Sequence, residues 1–199
     1  MNKNFIIIFL FFVYTFVYAD TNVNLTKLLP NNLGEILVYK TVDFNHDGYL
    51  DVVLVSQDNL ESFQYGRKRT LYIFMNENNI RLNEIVRNNN IIACSKCSNF
   101  EFQADPFAQR KILVSRDGII TIIQYFDIKF YASMAIYKFS YSSRSRKFKT
   151  ISAKHILYEL TDSGRYRRHI SNHINEFGKY LDIFDPKWIN LIGIQDKFY

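Results

Sequence analysis

Short runs of β-branched and aromatic residues, separated by turn-forming residues, recur along most of this chain. Three pairs of runs have the pattern of a hairpin, and their turns fall at "NENN" (76–79), at Asp117–Gly118 and at the basic "SSRSRK" (142–147). β-Branched and aromatic residues favour strands, and Asp-Gly is a strong signal for a tight turn. Helical periodicity and helix caps are scarce. We therefore expect a mostly β fold, in which antiparallel hairpins or a meander form a compact single-domain sheet or sandwich with at most one or two short helices.

The same patterns predict individual strands. One is expected over residues 35–42, one in "YLDVVLVS" (49–56), and two further short strands in "KHILYEL" (154–160) and "KYLDIFD" (179–185). Successive side chains of a strand point to opposite faces of its sheet. In the run that begins at residue 131, one face is therefore expected to carry Tyr131, Ser133, Ala135, Tyr137 and Phe139, and the other Met134, Ile136 and Lys138.

The N-terminus has the features of a secretory signal. An apolar run of 13 residues extends from Phe5 to Val17 after Lys3, whereas a bilayer span needs about 20 residues. Val17 and Ala19 form a small-x-small pattern, so we expect cleavage after Ala19; a retained membrane anchor is the alternative. Residues 1–19 are thus predicted to be a signal peptide and 20–199 a single β-rich domain, exported to the periplasm or the cell exterior, with no transmembrane segment after cleavage.

Composition limits what the mature chain can be. Hydrophobic residues make up 48% and aromatic residues 17%, which excludes a disordered chain. Loss of residues 1–19 removes one of the 25 basic residues and none of the 19 acidic ones, which leaves a net charge of +5. Richness in Ile, Asn, Lys, Phe and Tyr is typical of a low-GC genome. The excess of basic residues therefore does not by itself imply that the protein binds a negatively charged ligand.

The two cysteines, Cys94 and Cys97, form "CSKC". In an exported protein such a close pair is most simply a small-loop disulfide. A redox-active pair needs its first cysteine at a helix start, and the "SNFEFQADPF" that follows is not a helix opening. Zinc would need two further ligands, and the chain has no second cysteine pair. We predict a structural disulfide, with a redox-active or metal-bound pair as the alternatives.

The segment "DFNHDGYLD" (43–51) places oxygen-bearing residues at alternate positions around a glycine. Calcium binds six to eight hard oxygen ligands, and the spacing of this loop matches positions 1, 3, 5, 7 and 9 of an EF-hand loop. The glycine at position 6 permits a sharp bend. The predicted ligands are the side chains of Asp43, Asn45, Asp47 and Asp51 and the carbonyl of Tyr49.

Two features distinguish this loop from a standard EF-hand. Position 12 is Leu54 instead of a bidentate Glu, and the flanking segments have strand patterns. We therefore expect one calcium ion bound weakly, with Kd on the order of 10⁻⁴ to 10⁻³ M. Magnesium is disfavoured because it seldom receives a dedicated protein cage. The alternative is a polar turn without metal, since Asp, Asn and Gly favour turns in any case.

A family resemblance covers the loop and the hairpin that follows it. "DFNHDGYLDVVLVS" followed by "LYIFMNENNIRLNEIVRN" resembles one unit of the FG-GAP or VCBS type, whose copies normally close a β-propeller. The chain as a whole is similar to a group of exported bacterial proteins that carry a single such loop, a later "DPF" (105–107) and a late "FGK" (177–179), and this resemblance covers most of the mature chain. The resemblance implies a compact β-rich domain and implies no particular activity.

Motifs for catalysis are scarce. The chain contains no GxSxG elbow, P-loop or dinucleotide fingerprint. His169 and His173 are four residues apart, but Ile170 occupies the position where zincin chemistry needs a glutamate. Scattered carboxylates such as Glu159 and Asp162 are expected in any chain of this size. We therefore expect a protein that is not an enzyme, with a small exported hydrolase, supported by a structural calcium loop, as the alternative.

Two basic clusters are candidate binding surfaces. The first, at a predicted hairpin tip, contains Arg144, Arg146, Lys147 and Lys149; the second contains Arg165, Arg167 and Arg168. Aromatic residues between these cations resemble a nucleic-acid surface, but export argues against nucleic acid as the partner. A solvated turn is one reading of the first cluster and a polyanion site is the other. The expected partner is an unidentified protein or an anionic envelope polymer.

Overall fold

The strands follow one another along the chain as antiparallel neighbours in two sheets. The computed structural model describes residues 25–61, 66–96, 105–128, 131–161, 163–175 and 177–186. The four-stranded sheet has the order β1 (Glu35–Val42), β2 (Asp51–Gln57), β3 (Arg69–Glu77) and β4 (Arg81–Asn88). The five-stranded sheet has the order β5 (Lys111–Val114), β6 (Ile119–Ile128), β7 (Tyr131–Ser142), β8 (Lys147–Leu160) and β9 (Tyr166–Asn172). Helical structure in these residues is limited to 3₁₀ segments at Leu25–Leu28 and Leu181–Ile183.

The predicted fold class is confirmed: the chain is mostly β, with antiparallel sheets in one compact domain. The strand predicted over residues 35–42 is β1, and the three predicted hairpins are β3–β4, β5–β6 and β7–β8. No helix in the described part of the chain is long and apolar enough to span a membrane. The signal segment, residues 1–19, lies outside the described residues.

Three details differ from the sequence-based expectations. The run 154–160 is not a separate strand, because it continues β8. The strand predicted over 179–185 is wrong: Tyr180 makes a single bridge to Lys149, and the chain then turns into the 3₁₀ segment Leu181–Ile183. β9 has no apolar alternation to predict it, and it forms as an edge strand by pairing with β8.

One hydrophobic core is shared by the two sheets. The four-stranded sheet contributes Val53, Val55, Leu71, Ile73 and Val86, and the five-stranded sheet contributes Ile120, Ile122, Tyr137, Phe139 and Phe148. The predicted alternation in β7 is confirmed for the described side chains, since Ala135, Tyr137 and Phe139 are buried in this core. Fully burying one such side chain contributes about 1.5–3 kcal/mol. The inner faces of the two sheets therefore supply most of the apolar stabilisation.

The outer face of the four-stranded sheet is covered by residues 25–34. Leu29 and Leu33 of this segment pack against a second buried cluster, which contains Val52, Leu54, Tyr72, Phe74 and Leu82. β2 is consequently buried along its whole length, on both faces. This explains why its sequence, "DVVLVSQ", has four consecutive apolar residues and no alternation.

A buried arginine links β3 to the segment that starts at residue 105. Arg69 is 3% exposed, and its guanidinium donates to the side chain of Gln57, the carbonyl of Ala93 and both carboxylate oxygens of Asp105. These contacts use all five N–H donors of the group. Asp105 also accepts from the N–H of Phe107 at 2.8 Å. The "DPF" motif therefore attaches the segment that starts at residue 105 to β3.

Replacing Asp105 with Ala should destabilise the protein by about 3 kcal/mol or more, because it leaves the charge of Arg69 buried without its partner. Glu84→Ala is a matched control, since it removes the carboxylate of an exposed ion pair with Arg87 and should cost at most about 1 kcal/mol. Urea unfolding of both variants provides the measurement. Equal losses in the two variants would contradict the structural role given to Asp105.

Candidate calcium loop and neighbouring buried groups

The predicted calcium loop connects β1 to β2 and is fixed to the core of the molecule. Phe44, its second residue, is buried, and its ring meets that of Phe148 edge to face with 4.8 Å between centroids. Phe148 belongs to β8 of the other sheet. The loop therefore joins two strands of one sheet and also packs against the second sheet.

Within the loop, the predicted ligands bind the loop's own backbone. The carboxylate of Asp43 accepts from the N–H groups of Asp47 at 3.2 Å and Gly48 at 2.9 Å. The side-chain oxygen of Asn45 accepts from the same Asp47 N–H at 3.2 Å. Asp47 in turn accepts from the N–H of Tyr49 at 2.8 Å and from the amide of Asn45 at 2.7 Å. The structure thus brings Asp43, Asn45 and Asp47 together around one tight turn.

The turn depends on two residues in the left-handed backbone region. Gly48 has φ +89°, as its place in the sequence pattern requires, and a Cβ at this position would meet no atom within 4 Å. The requirement for glycine is therefore conformational. His46 has φ +61° and is exposed.

Asp51 has a different environment from the other loop carboxylates. It is fully buried, and its two oxygens accept from the N–H groups of Phe44 and Asn76, both at 2.8 Å. Asn76 lies at the end of β3 and also donates to the carbonyl of Leu50 at 3.1 Å. Asp51 therefore closes the loop and connects it to the β3–β4 turn. This role was not predicted from the sequence, where Asp51 was assigned only as a ligand.

Burial raises the pKa of Asp51 to about 6, and the nearby charges of Asp47 and Asp43 add to the rise. The two backbone N–H donors act in the opposite direction. A cation in the loop would favour the ionised form of Asp51. The local electrostatics are thus those of a negatively charged turn that an added positive charge would stabilise.

The donor set of the loop suits a hard cation, because every predicted ligand atom is oxygen. Among the described residues, no group of three or more His, Cys, Asp or Glu side chains is arranged to hold a metal ion. Asp51 uses both of its carboxylate oxygens to accept from the backbone N–H groups of Phe44 and Asn76. Each bonded carboxylate oxygen keeps a second lone pair for another contact. Calcium binding at this loop stays a prediction.

The first basic cluster lies where it was predicted, around the β7–β8 turn. Arg144, Arg146, Lys147 and Lys149 are all exposed. Lys147 forms an ion pair with Asp182 at 2.9 Å, and its ammonium lies 5.2 Å from the ring centroid of Tyr180. The second cluster, at residues 165–168, flanks the start of β9 at the other end of β8, about 40 Å away along that strand. The two clusters therefore do not form one patch.

The two histidines predicted as a pair do not share a partner. His169 and His173 have different partners: the first lies 3.4 Å from a carboxylate oxygen of Glu159, and the second lies 2.7 Å from the hydroxyl of Ser171. Cys94 is buried, but Cys97 lies outside the described residues, so the disulfide stays a prediction.

A buried histidine is the feature that sequence analysis missed. His155 is 7% exposed, its Nε2 lies 2.7 Å from the hydroxyl of Tyr137, and its Nδ1 has no hydrogen-bond partner among the residues that the structure describes. The ring packs against those of His173 and Phe177, with centroids 4.7 and 5.4 Å away. Burial, with a smaller contribution from His173, lowers the pKa of His155 to about 3. His155 lies two residues after Ala153 on β8, so both side chains are on the same face of the strand. This spacing is the only sequence signal that could have placed His155 in the core.

The adjoining "FGK" motif is also structural. Phe177 is buried in this aromatic cluster, and Gly178 has φ +109°. A Cβ on Gly178 would lie 2.9 Å from the carbonyl oxygen of Ile183, so no other residue fits without a backbone shift. The carbonyl of Gly178 accepts from the hydroxyl of Thr150 at 2.8 Å. The motif thus fixes the segment 177–185 against β8.

Comparison of the chain with models of protein families, with curated proteins and with solved structures gives no match.

The buried histidine predicts a pH-dependent stability. The unfolded chain takes up a proton on His155 near pH 6.5, whereas the folded protein does so only near pH 3, so stability is lost as the pH falls below 6.5. At pH 5 this residue should lower the free energy of unfolding by about 2 kcal/mol relative to pH 7.5. His155→Gln should remove this contribution of the histidine, and the opposite contribution of Asp51, whose raised pKa adds stability as the pH falls below about 6, should remain. His46→Gln, at an exposed position, should leave the pH dependence of the unmodified protein unchanged. Urea unfolding at both pH values tests this; an unchanged pH dependence in His155→Gln would show the assignment to be wrong.

Proposed function

We propose that this protein is an exported, calcium-binding β domain of the periplasm or cell exterior, that it is not an enzyme, and that it binds or inhibits another macromolecule. The observation that supports the proposal most directly is the geometry of the 43–51 loop. Oxygens of Asp43 and Asn45 lie at the same distance, 3.2 Å, from one backbone nitrogen, that of Asp47. Hard oxygen donors gathered in this way around a glycine turn suit calcium better than they suit softer metals.

The attachment of the loop supports a structural role for the cation. Phe44 packs into the shared core and Asp51 bonds the end of β3, so the loop is coupled to both sheets. Without a cation, the like charges of Asp43, Asp47 and Asp51 oppose the closed turn. Calcium bound there would stabilise the whole domain through these attachments.

The sheet order supports the proposed kinship with FG-GAP or VCBS units. The loop joins β1 to β2, and β3 and β4 follow as a hairpin in a four-stranded antiparallel meander. Propeller blades are four-stranded sheets of this kind. The five-stranded second sheet lacks an equivalent aspartate loop, since its β5–β6 turn is only residues 115–118.

The alternative, a small exported hydrolase, would need an acid and a histidine that converge where a substrate can reach them. Among the described acids and histidines, Asp51 and His155 have the largest shifts in pKa. Asp51 is held by two backbone N–H groups, and His155 lies in an aromatic cluster. Both environments favour structural roles, which supports a binding protein.

Saturating calcium should raise the free energy of unfolding by roughly 1.4 kcal/mol at ten times Kd, because the ion binds only the folded loop. Asp43→Ala and Asp47→Ala should each abolish this increment. In chelator, each variant loses the hydrogen bonds that its carboxylate accepts from the loop backbone but also loses one repelling charge. The two effects oppose each other, so the stability should change by no more than about 1 kcal/mol. Thermal melts with calcium, magnesium and chelator provide the measurement.

Asp117→Ala is the matched control for the calcium experiment, because Asp117 is an exposed turn aspartate on the β5–β6 hairpin. It should retain the full calcium increment. Identical melting of the unmodified protein in calcium and in chelator would reduce the 43–51 loop to a polar turn.

The basic tip should contribute to partner binding and little to folding. Replacing Arg144, Arg146, Lys147 and Lys149 with Ser removes four exposed charges and one exposed ion pair, so the cost should be no more than about 1 kcal/mol. The same variant should lose affinity for a model polyanion such as heparin. Unfolding curves and heparin chromatography test the two expectations. A much larger loss of stability would show that the tip is a packed part of the fold.

A further inference from the structure

The outer face of the five-stranded sheet is the face turned away from the shared core, and strand register defines its residues. Core residues Ile122, Tyr137 and Ala153 lie in one cross-strand row, so the residues that alternate with them point outward. One outward row runs through Lys111, Ile123, Ile136, Lys154 and Asn172; the next runs through Tyr125, Met134, Ile156 and Ile170.

The centre of this outer face is apolar. Ile123, Met134 and Ile136 are partly exposed, and Ile156, in the adjacent row, is buried. Toward the edges, Ile170 and Leu113 are each 51% exposed. By contrast, the outer face of the four-stranded sheet is covered by residues 25–34. Neighbouring apolar side chains that stay exposed on the outer face of the five-stranded sheet indicate an interaction surface.

The charged residues around this apolar centre are basic. Exposed cations at outward positions are Lys138, Lys149, Lys154 and Arg168, and Lys111 lies beside them with its ammonium 3.3 Å from the Tyr125 hydroxyl. Among the described strands, Asp127 near the end of β6 is the acidic residue at an outward register position. The face therefore combines an apolar centre with a rim of mainly one charge.

This combination restricts the partner. A second copy would bring the same cations against one another, so the face does not suit self-association. A purely ionic polymer would match the rim and leave the apolar centre without a contact. A protein partner usually presents charges of both signs at its rim. An anionic bilayer offers laterally uniform negative charge above an apolar layer, which complements both parts of the face.

We propose that the outer face of the five-stranded sheet docks on an anionic lipid surface. Lys138, Lys154 and Arg168 contact lipid phosphates, and the isoleucine-rich centre with Ile170 lies against the boundary between headgroups and acyl chains. The proposal does not depend on the calcium loop, and the proposed face shares only Lys149 with the basic tip. It concerns a peripheral contact of a folded domain.

The test measures co-sedimentation of the processed, exported protein with vesicles, in chelator. We expect binding to phosphatidylcholine vesicles that contain phosphatidylglycerol, weakening with added salt, and no binding to pure phosphatidylcholine vesicles. Each cation near an anionic surface contributes about fivefold to binding, so the triple variant Lys138→Gln, Lys154→Gln and Arg168→Gln should bind about 100-fold more weakly.

A matched triple variant distinguishes a defined face from diffuse attraction. Lys40→Gln, Arg81→Gln and Arg116→Gln remove the same charge from exposed positions outside this face and should change vesicle binding only a few-fold. Equal losses in the two triple variants would overturn the proposal. Asp43→Ala should bind vesicles normally, so failure of the calcium proposal would leave this result unaffected.

A separate double variant tests the contribution of the apolar part of the face to vesicle binding. Ile170→Ser combined with Leu113→Ser alters two exposed side chains, so the fold should be retained, and it should weaken vesicle binding several-fold while leaving heparin binding unchanged. Vesicle binding that is insensitive to this variant would identify a simple polyanion patch. Binding to soluble polyglutamate as tight as to vesicles would indicate an acidic protein partner. Either outcome, or no binding to anionic vesicles, overturns the lipid proposal.

Discussion

Burial of the two inner sheet faces against each other is the constraint on which the rest of this structure depends. Because side chains alternate along each strand, the core fixes the register of every strand that contributes to it. A slip of one residue in β6 would exchange Ile120 and Ile122 for Thr121 and Ile123 and would break the shared core. Phe44 extends this constraint to the 43–51 loop, since its ring fills space beside Phe148.

Buried polar side chains then attach the irregular segments to the sheets. Gln124 donates to the carbonyl of Ile91 at 2.9 Å and accepts from the N–H of Ala93 at 2.7 Å. Asn88 donates to the carbonyls of Leu181 and Phe184 at 2.6 and 2.8 Å. Arg69 fixes the turn at residue 105 in the same way. Each of these groups would be costly if left unpaired in the interior, so each pairing also selects one path for its segment.

Local patterns in the sequence were sufficient for most of the strands and for the three hairpin turns, because alternation and turn chemistry act over a few residues; β9, which lacks apolar alternation, was not predicted. The partners of buried polar groups were beyond reach, since Arg69 and Asp105 are 36 residues apart and their types alone do not indicate a pair. The burial of His155 depends on Phe177 and His173, which arrive from a later segment. The segment 179–185 has strand-like composition, but Asn88 binds its carbonyls, and this tertiary contact overrides local propensity. In the loop, spacing predicted the turn, whereas the inward bonds of Asp51 depend on Asn76 in another strand.

The two sheets differ in how their outer faces meet the surroundings, and their sequences show the reason. β2 has consecutive apolar residues because residues 25–34 cover its second face. β8 alternates buried positions such as Ala153 and His155 with outward Lys154, so its second face carries charge as well as isoleucine. A covered face can be uniformly apolar, whereas a face that stays in contact with water needs charges to keep the protein soluble. The basic rim of the five-stranded sheet thus satisfies solubility in the free protein and, on an anionic surface, supplies the attraction that brings the apolar centre into contact.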